Sequence, residues 1–427
     1  INFSGNLKTD DSVLRREMRQ FEGAQASAEK IDLSKVRLQR LGFFSDVKID
    51  NARVPGTTDQ VDLNVAVTEQ PSGSISASLG YSQNAGLVFG ANVSQSNFLG
   101  TGNRVSIGLN RSDVRDAYNV SFLNPYFTPE GISRGYNFYL RQTKLDDLNI
   151  SNYSTDSMGA NISFSYPIDE TETISFSAGI DQTEISLGVN PSEAVFNFTK
   201  DNGNSLMTYT TSAAWSRNTL NRGTFPTAGA SQSVALELGL PGSDVSFYKL
   251  TYNAQRYFPV RHDWVGRGYA RLGYGDALRG DSLPFYRNFF GGGFGSVRGF
   301  RDNSMGPRSQ RLSLSNPAVL LPESESIGGN VQVEGGVELI FPVPFIEDKS
   351  KIRTLAFFDV GNIFDTNSNS ISTTDFKPSI SNLRYSVGVG LSWITPIGPL
   401  TFAVAKPLNT KEGDDTQAFQ FSLGQGF

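Results

Sequence analysis

Few residues in this chain are of types that do chemistry. No cysteine occurs among its 427 residues, which excludes thiolate catalysis, disulfides and cysteine-ligated metals. The single histidine, His262, lies in Pro259-Val260-Arg261-His262-Asp263-Trp264, which reads as a short polar turn between strands. Without a second imidazole, it gives no footing for a metal site. Gly291-Gly292-Gly293 could pass for a phosphate cradle, but no Gly-Lys-Ser/Thr is present, the G-x-G-x-x-G spacing is missing and no helix follows. No catalytic residue, metal or cofactor is expected. What remains is charge: Arg298 in the glycine-rich string Phe294-Gly295-Ser296-Val297-Arg298-Gly299-Phe300, and the carboxylates Glu334, Glu338 and Asp359. Taken alone, a loop arginine reads as a solvated surface residue.

The elements that must hold these residues fall into two classes. Residues 1–70 read as a small α+β unit. Ile1 to Asn6 forms a strand, and Asp10 or Asp11 caps a helix from Ser12 to Phe21, with Val13, Leu14 and Phe21 on its apolar face and Gly23 as its stop. A second helix runs from about Ala28 to Leu41 and stops at Gly42. Two alternating strands follow, joined by a turn at Pro55-Gly56, giving the order βααββ.

From Pro71 the period becomes two and stays so over 71–427. Ile75, Ala77, Leu79 and Tyr81 face one way while Ser74, Ser76, Ser78 and Gly80 face the other; Tyr385, Val387, Val389, Leu391 and Trp393 oppose Ser386, Gly388, Gly390 and Ser392. About sixteen such segments fit the remaining length. Connections alternate between short turns, such as Gly100-Thr101-Gly102, and long polar loops, at 187–204 and about 277–327. This pattern predicts a 16-stranded antiparallel outer-membrane β-barrel. A soluble sandwich would also alternate, but Glu334, Glu338 and Asp359 on the side opposite the apolar parity suit a wet lumen better than a dry core.

Composition agrees. The charged fraction is 19%, below the roughly 25% of soluble domains. Glycine numbers 43 and phenylalanine 31, and a net charge of −5 with scattered basic residues argues against nucleic acid. No run approaches the 18 or more apolar residues of a membrane-spanning helix, so any membrane crossing is by strands.

Such a barrel closes by pairing its first strand, about 73–82, with its last, about 417–427. Gly73 and Gly80 in the first strand and Gly424 and Gly426 in the last either relieve crowding or weaken this seam. Ser76 and Gln425 are expected to face each other across it. Phe419, Phe421, Leu423 and Phe427 share one parity of the final strand.

Val297-Arg298-Gly299-Phe300 resembles the loop motif of the BamA-type family of outer-membrane assembly and transport barrels. The resemblance covers the whole chain. Arg40-Leu41-Gly42-Phe43-Phe44 is similar to part of a polypeptide-transport-associated (POTRA) domain, and Asn97-Phe98-Leu99-Gly100-Thr101-Gly102 and Arg222-Gly223-Thr224-Phe225-Pro226-Thr227 look like two of the family's turn motifs. Because such proteins carry several POTRA domains, further ones and any signal peptide are expected upstream of Ile1.

The resemblance implies a sixth extracellular loop folded into the lumen, with Arg298 meeting Glu338 and Asp359 as a lock. It implies a lateral gate at the seam, with Gly424 where the last strand bends inward, and strand-by-strand templating of incoming chains. The terminal aromatics match the C-terminal signal of client barrels. Implied partners are unfolded outer-membrane barrel clients, outer-membrane lipids thinned beside the seam, and periplasmic lipoprotein subunits docking on an exposed face bearing Arg15, Arg16, Glu17 and Arg19. The implied function is folding and insertion of barrels without nucleotide or metal, in the outer membrane of a Gram-negative cell with the POTRA domain in the periplasm. The alternatives are a polypeptide secretion pore or general porin, a TamA-like assembly factor, and an outer-membrane hydrolase, which the lone turn histidine supports poorly.

Overall fold

Near-perfect alternation over long stretches leaves the backbone one economical solution in lipid, a sheet with no free edge. The computed structural model describes the chain except residues 84, 145–151, 262, 280–281, 314–315, 344–350, 368–376, 396–397, 412 and 425–427. His262, Gln425, Gly426 and Phe427 therefore lie outside the described residues.

The N-terminal segment contains β1 (Asn2–Ser4), α1 (Asp11–Glu17), α2 (Ala28–Arg40), β2 (Phe44–Arg53) and β3 (Val61–Glu69), with sheet order β1-β3-β2. Val13 and Leu14 of α1, Leu38 of α2, and Phe43, Phe44, Val47, Val65 and Val67 make its core. The first helix is shorter than its sequence suggests. It stops at Glu17 because Met18 turns extended and the next two amides, of Arg19 and Gln20, donate to Ser34 Oγ on α2 at 2.8 and 3.3 Å. Phe21, expected on the apolar face, consequently falls outside the helix and is exposed.

The remainder runs β4 (Gly73–Ser82), β5 (Gly86–Phe98), β6 (Asn103–Arg111), β7 (Arg115–Asn124), β8 (Ser133–Lys144), β9 (Tyr153–Pro167), β10 (Glu172–Leu187), α3 (Glu193–Asn202), β11 (Ser205–Asn218), β12 (Gly229–Gly239), β13 (Ser246–Arg261), β14 (Trp264–Arg279), β15 (Arg308–Ser313), β16 (Asn316–Ser326), β17 (Val331–Phe341), β18 (Ile352–Phe364), β19 (Arg384–Thr395), β20 (Gly398–Pro407) and β21 (Phe419–Leu423). Sixteen of these strands close a barrel by consecutive neighbours, with β21 against β4. Strands β15 and β16 stand apart as a hairpin within the long loop between β14 and β17.

The outward parity is apolar and exposed, as at Ile75, Leu79, Leu87, Phe89, Val337, Val389 and Trp393. So broad an apolar surface belongs against lipid. The 187–204 connection, read from sequence as a polar loop, contains α3. Val195 of that helix joins Tyr153, Ile185, Leu206, Val245 and Phe285 in a small apolar cluster. By chain contacts the molecule forms two compact units, one of Ile1–Ser76, Ala91–Gly108 and Asn119–Asn137, the other of Ala77–Gly90, Leu109–Tyr118 and Phe138–Phe427.

Candidate functional site

The long loop enters with a 3₁₀ turn at Phe285–Arg287 and carries Arg298 into a buried cluster. Alternation in β17 and β18 puts Glu338 and Asp359 on the lumenal face, where they are 7% and 0% exposed; Arg298 is 8% exposed. The Arg298 Nε and Nη2 donate to the two Asp359 oxygens, both at 2.7 Å, and its backbone N–H donates to Asp359 Oδ2 at 3.2 Å. This is the bidentate fork that guanidinium geometry favours. Arg298 Nη2 also lies 2.9 Å from Glu338 Oε1. Phe357 covers one face of the guanidinium, with its ring centre 3.6 Å away.

Two further groups complete the cluster. Arg267 Nη1 donates to Glu338 Oε2 at 3.0 Å, and the Tyr269 hydroxyl donates to Asp359 Oδ1 at 2.9 Å. Two guanidinium groups therefore face two carboxylates, which lets four charges be buried together. Sequence reading missed Arg267 and Tyr269, although strand register supplies a signal: Arg267 pairs with Glu338, and Arg271 with Glu334, at the same spacing of four on each strand. Glu334 accepts from the Ser296 hydroxyl, whose oxygen accepts the Gly292 N–H at 2.8 Å.

Val297 and Phe300 are fully buried and cluster with Met305. A second anchor holds the loop's start, and sequence reading missed it too. Arg287 Nη2 lies 3.2 Å from Asp181 Oδ1 on β10, Asp181 accepts from the Tyr139 hydroxyl, and Lys249 Nζ donates to the Arg287 carbonyl at 2.7 Å. The parity that points Ile180 outward already turned Asp181 inward.

The seam is built differently. Among the described residues, β21 and β4 are joined by two residue pairs, Ser422↔Ser82 and Leu423↔Tyr81. On its other side β21 pairs with β20 from Leu400↔Leu423 to Val404↔Phe419. Tyr81 stacks on Phe421 with ring centres 5.6 Å apart. Where β4 turns away, a side chain continues the ladder: Gln83 Oε1 accepts from Phe421 N–H at 3.2 Å and from Gln417 Nε2 at 3.0 Å.

Beyond Leu423, Gly424 adopts φ +78°, a left-handed conformation that costs other residues about 1–2 kcal/mol. Space forbids a side chain there as well, since a Cβ on Gly424 would lie 2.8 Å from the Gly80 Cα and one on Gly80 would lie 2.5 Å from the Leu423 carbonyl oxygen. Gly73 and Ser76 lie in the stretch of β4 from Gly73 to Leu79 that is exposed on both parities. Phe419 is exposed on the outward face, with Phe421 and Leu423 half-buried beside it.

One expected surface proves to be an internal contact. Glu17 is 3% exposed, and Arg16 and Arg19 are partly buried. Within the first unit, Arg16 lies over the Tyr126 ring at 4.6 Å, Arg37 Nη2 donates to the Tyr126 hydroxyl at 2.8 Å, and Arg37 pairs with Glu17 at 2.9 Å. Burial lowers the Arg16 pKa, with the Glu17 and Tyr126 charges opposing it. The Asp10 N–H donates to the Gly100 carbonyl at 2.9 Å and Asn97 Nδ2 to Thr9 Oγ1 at 2.8 Å. Arg16 and Glu17 are thus covered by Tyr126 and Arg37, Thr9 and Asp10 hold the turn at Asn97–Gly102, and Arg15 remains exposed and paired with Asp11 and Glu22.

Two family models match the chain: the Omp85 superfamily domain over residues 97–427 and a POTRA model, described as a surface antigen variable number repeat, over residues 1–70. The chain belongs to the Omp85 superfamily. This Omp85 chain is 34% identical to the outer membrane protein assembly factor BamA of Neisseria meningitidis, over 100% of the chain and 56% of that protein. It is 26% identical to the human sorting and assembly machinery component 50 homolog, over 100% of the chain and 89% of that protein. Among solved structures it is similar to BamA from Haemophilus ducreyi lacking POTRA domains 1–3, at TM-score 0.87 and 33% identity, covering 99% of the chain and 82% of that structure. The chain spans about half the length of the bacterial relatives it matches. Its barrel resides in the outer membrane of a Gram-negative bacterium, with the POTRA domain in the periplasm.

Proposed function

We propose that this chain is the membrane-embedded part of an assembly factor that folds β-barrel proteins and inserts them into the outer membrane, acting through a lateral gate between β4 and β21. The observation that carries this reading is the seam of two described residue pairs ending at a left-handed glycine. An edge so sparsely paired leaves main-chain groups open to an added strand. A client strand can then pair by β-augmentation, with affinity from main-chain bonds and little demand on sequence. The free energy comes from client folding, so neither nucleotide nor metal is required. Clients are unfolded outer-membrane barrels, and their lipid environment is the bilayer thinned beside the short seam.

Periplasmic lipoprotein subunits remain the proposed partners of the POTRA domain, on faces other than the one that Arg16 and Glu17 occupy. Arg298, held by Glu338 and Asp359, keeps the long loop seated. That buried loop favours assembly over a wide conducting pore. The test is reconstitution of the chain in liposomes with a urea-unfolded barrel client. Accelerated client folding is expected; absence of acceleration together with large steady conductance would replace this reading with the secretion pore.

A further inference from the structure

The last strand is tied both to the strand that closes the barrel and to the loop inside it. Gln420, on the lumenal face of β21, is 1% exposed. Its Oε1 accepts from the Gly299 N–H at 3.3 Å and its Nε2 donates to the Phe300 carbonyl at 2.9 Å, so one side-chain amide imitates a rung of sheet. The approach to the strand continues the pattern: Gln417 N–H donates to the Gly299 carbonyl at 2.8 Å, Phe300 bridges to Thr416, and Arg301 N–H donates to the Asp415 carbonyl at 2.9 Å. Small residues make room, since a Cβ on Gly299 would meet the Ala405 methyl of β20 at 3.1 Å.

These bonds fall immediately after Arg298, which is fixed to β17 and β18, and immediately before Ser422 and Leu423, which make the seam. A buried glutamine with both ends satisfied specifies geometry more than it adds stability. We propose that Gln420 is a positioning residue that seats the last strand on the long loop and so transmits the state of the Arg298 lock to the seam. With the lock closed, Gln420 holds β21 where Ser422 and Leu423 meet Ser82 and Tyr81. With the clamp gone, the strand keeps its bonds to β20 and loses its register against β4. The inference rests on the gate reading for its functional meaning, but its test requires no client.

The experiment is hydrogen exchange on the full chain in liposomes, comparing seam amides with those of β13 and β14. Gln420→Met keeps the shape and removes both bonds, leaving the buried Gly299 N–H without its acceptor. Seam exchange is expected to rise about tenfold, the scale of losing one buried hydrogen bond, with β13 and β14 unchanged and the loop still resistant to protease. Gln420→Glu, followed at a pH low enough to keep its carboxyl protonated, retains an acceptor for the Gly299 N–H and a hydroxyl donor for the Phe300 carbonyl; it is expected to give a smaller rise and serves if the first variant fails to fold. Combining Gln420→Met with Arg298→Lys separates transmission from local packing: if Gln420 relays the lock, the effects on the seam are less than additive. Unchanged seam exchange, equal acceleration around the barrel, or strict additivity would overturn the proposal. A seam that responds while client folding ignores the seam would remove the gate reading and leave the clamp standing.

Discussion

The lock under the long loop and the seam between β21 and β4 lie in the same barrel and are built on opposite principles. The lock gathers Arg298, Arg267, Glu338, Asp359 and Tyr269 in a largely buried cluster joined by charged and charge-assisted bonds, with Phe357 against the Arg298 guanidinium. At the seam, two described residue pairs, a stacked ring pair, a glutamine standing in for a rung, and glycines in van der Waals contact do the joining. Removing one charged member of the lock leaves an uncompensated buried charge, whereas separating the seam exposes backbone groups that another strand can satisfy. The difference teaches that, among the described residues, the charged contacts gather in the lumen while the wall between β21 and β4 is sparsely paired, at the place where the proposed function would admit a client.

Four substitutions test that contrast, in order of expected effect. Arg298→Ala strands Asp359 and half of Glu338 in a buried site, a loss of about 3–5 kcal/mol for a broken buried pair. Proteinase K should then cleave the long loop readily, and assembly should fall; a loop as resistant as the parent would show that the lock does not hold it. Gly424→Val should cost about 2 kcal/mol from the left-handed backbone alone, with further crowding against Gly80, and slow client folding severalfold. Equal client folding by this variant would mean that the bend at Gly424 has no part in the seam.

The smaller effects lie elsewhere. Tyr126→Phe removes the hydroxyl that Arg37 donates to and should cost about 1 kcal/mol, seen as faster amide exchange in α1 and at the Tyr126 turn with the seam unchanged. Gln83→Ala should cost about 0.5–1 kcal/mol, speeding exchange at Phe421 alone; an effect spread through β20 would show that the stand-in rung supports the whole wall.

Much of this was legible in the sequence because period two is a strong signal when it repeats over hundreds of residues. Alternation gave the barrel and turned Glu338 and Asp359 inward, and the motif around Arg298 supplied the third member. Arg267, Tyr269 and Arg287 escaped because strand parity says which face a residue takes and leaves open which loop returns to it. α3 escaped because a single short helix inside a polar connection has too few apolar positions to announce a period; its packing against Phe285 and Tyr153 decides it. Arg16 and Glu17 misled for the converse reason, since a charged helix face reads as solvated until the turns of another element arrive to cover it.

The most direct measurement is a seam cross-link in a chain that has no cysteine of its own. Pairing Ser82→Cys with Ser422→Cys, and separately Tyr81→Cys with Leu423→Cys, covers both kinds of antiparallel pair, one of which has the closer Cα atoms. The folding rate of a urea-unfolded barrel client is then followed in liposomes carrying the oxidised or the reduced chain. Acceleration lost on oxidation and restored on reduction is the expected result; acceleration that persists through a fully formed cross-link would contradict a mechanism that works by opening the seam.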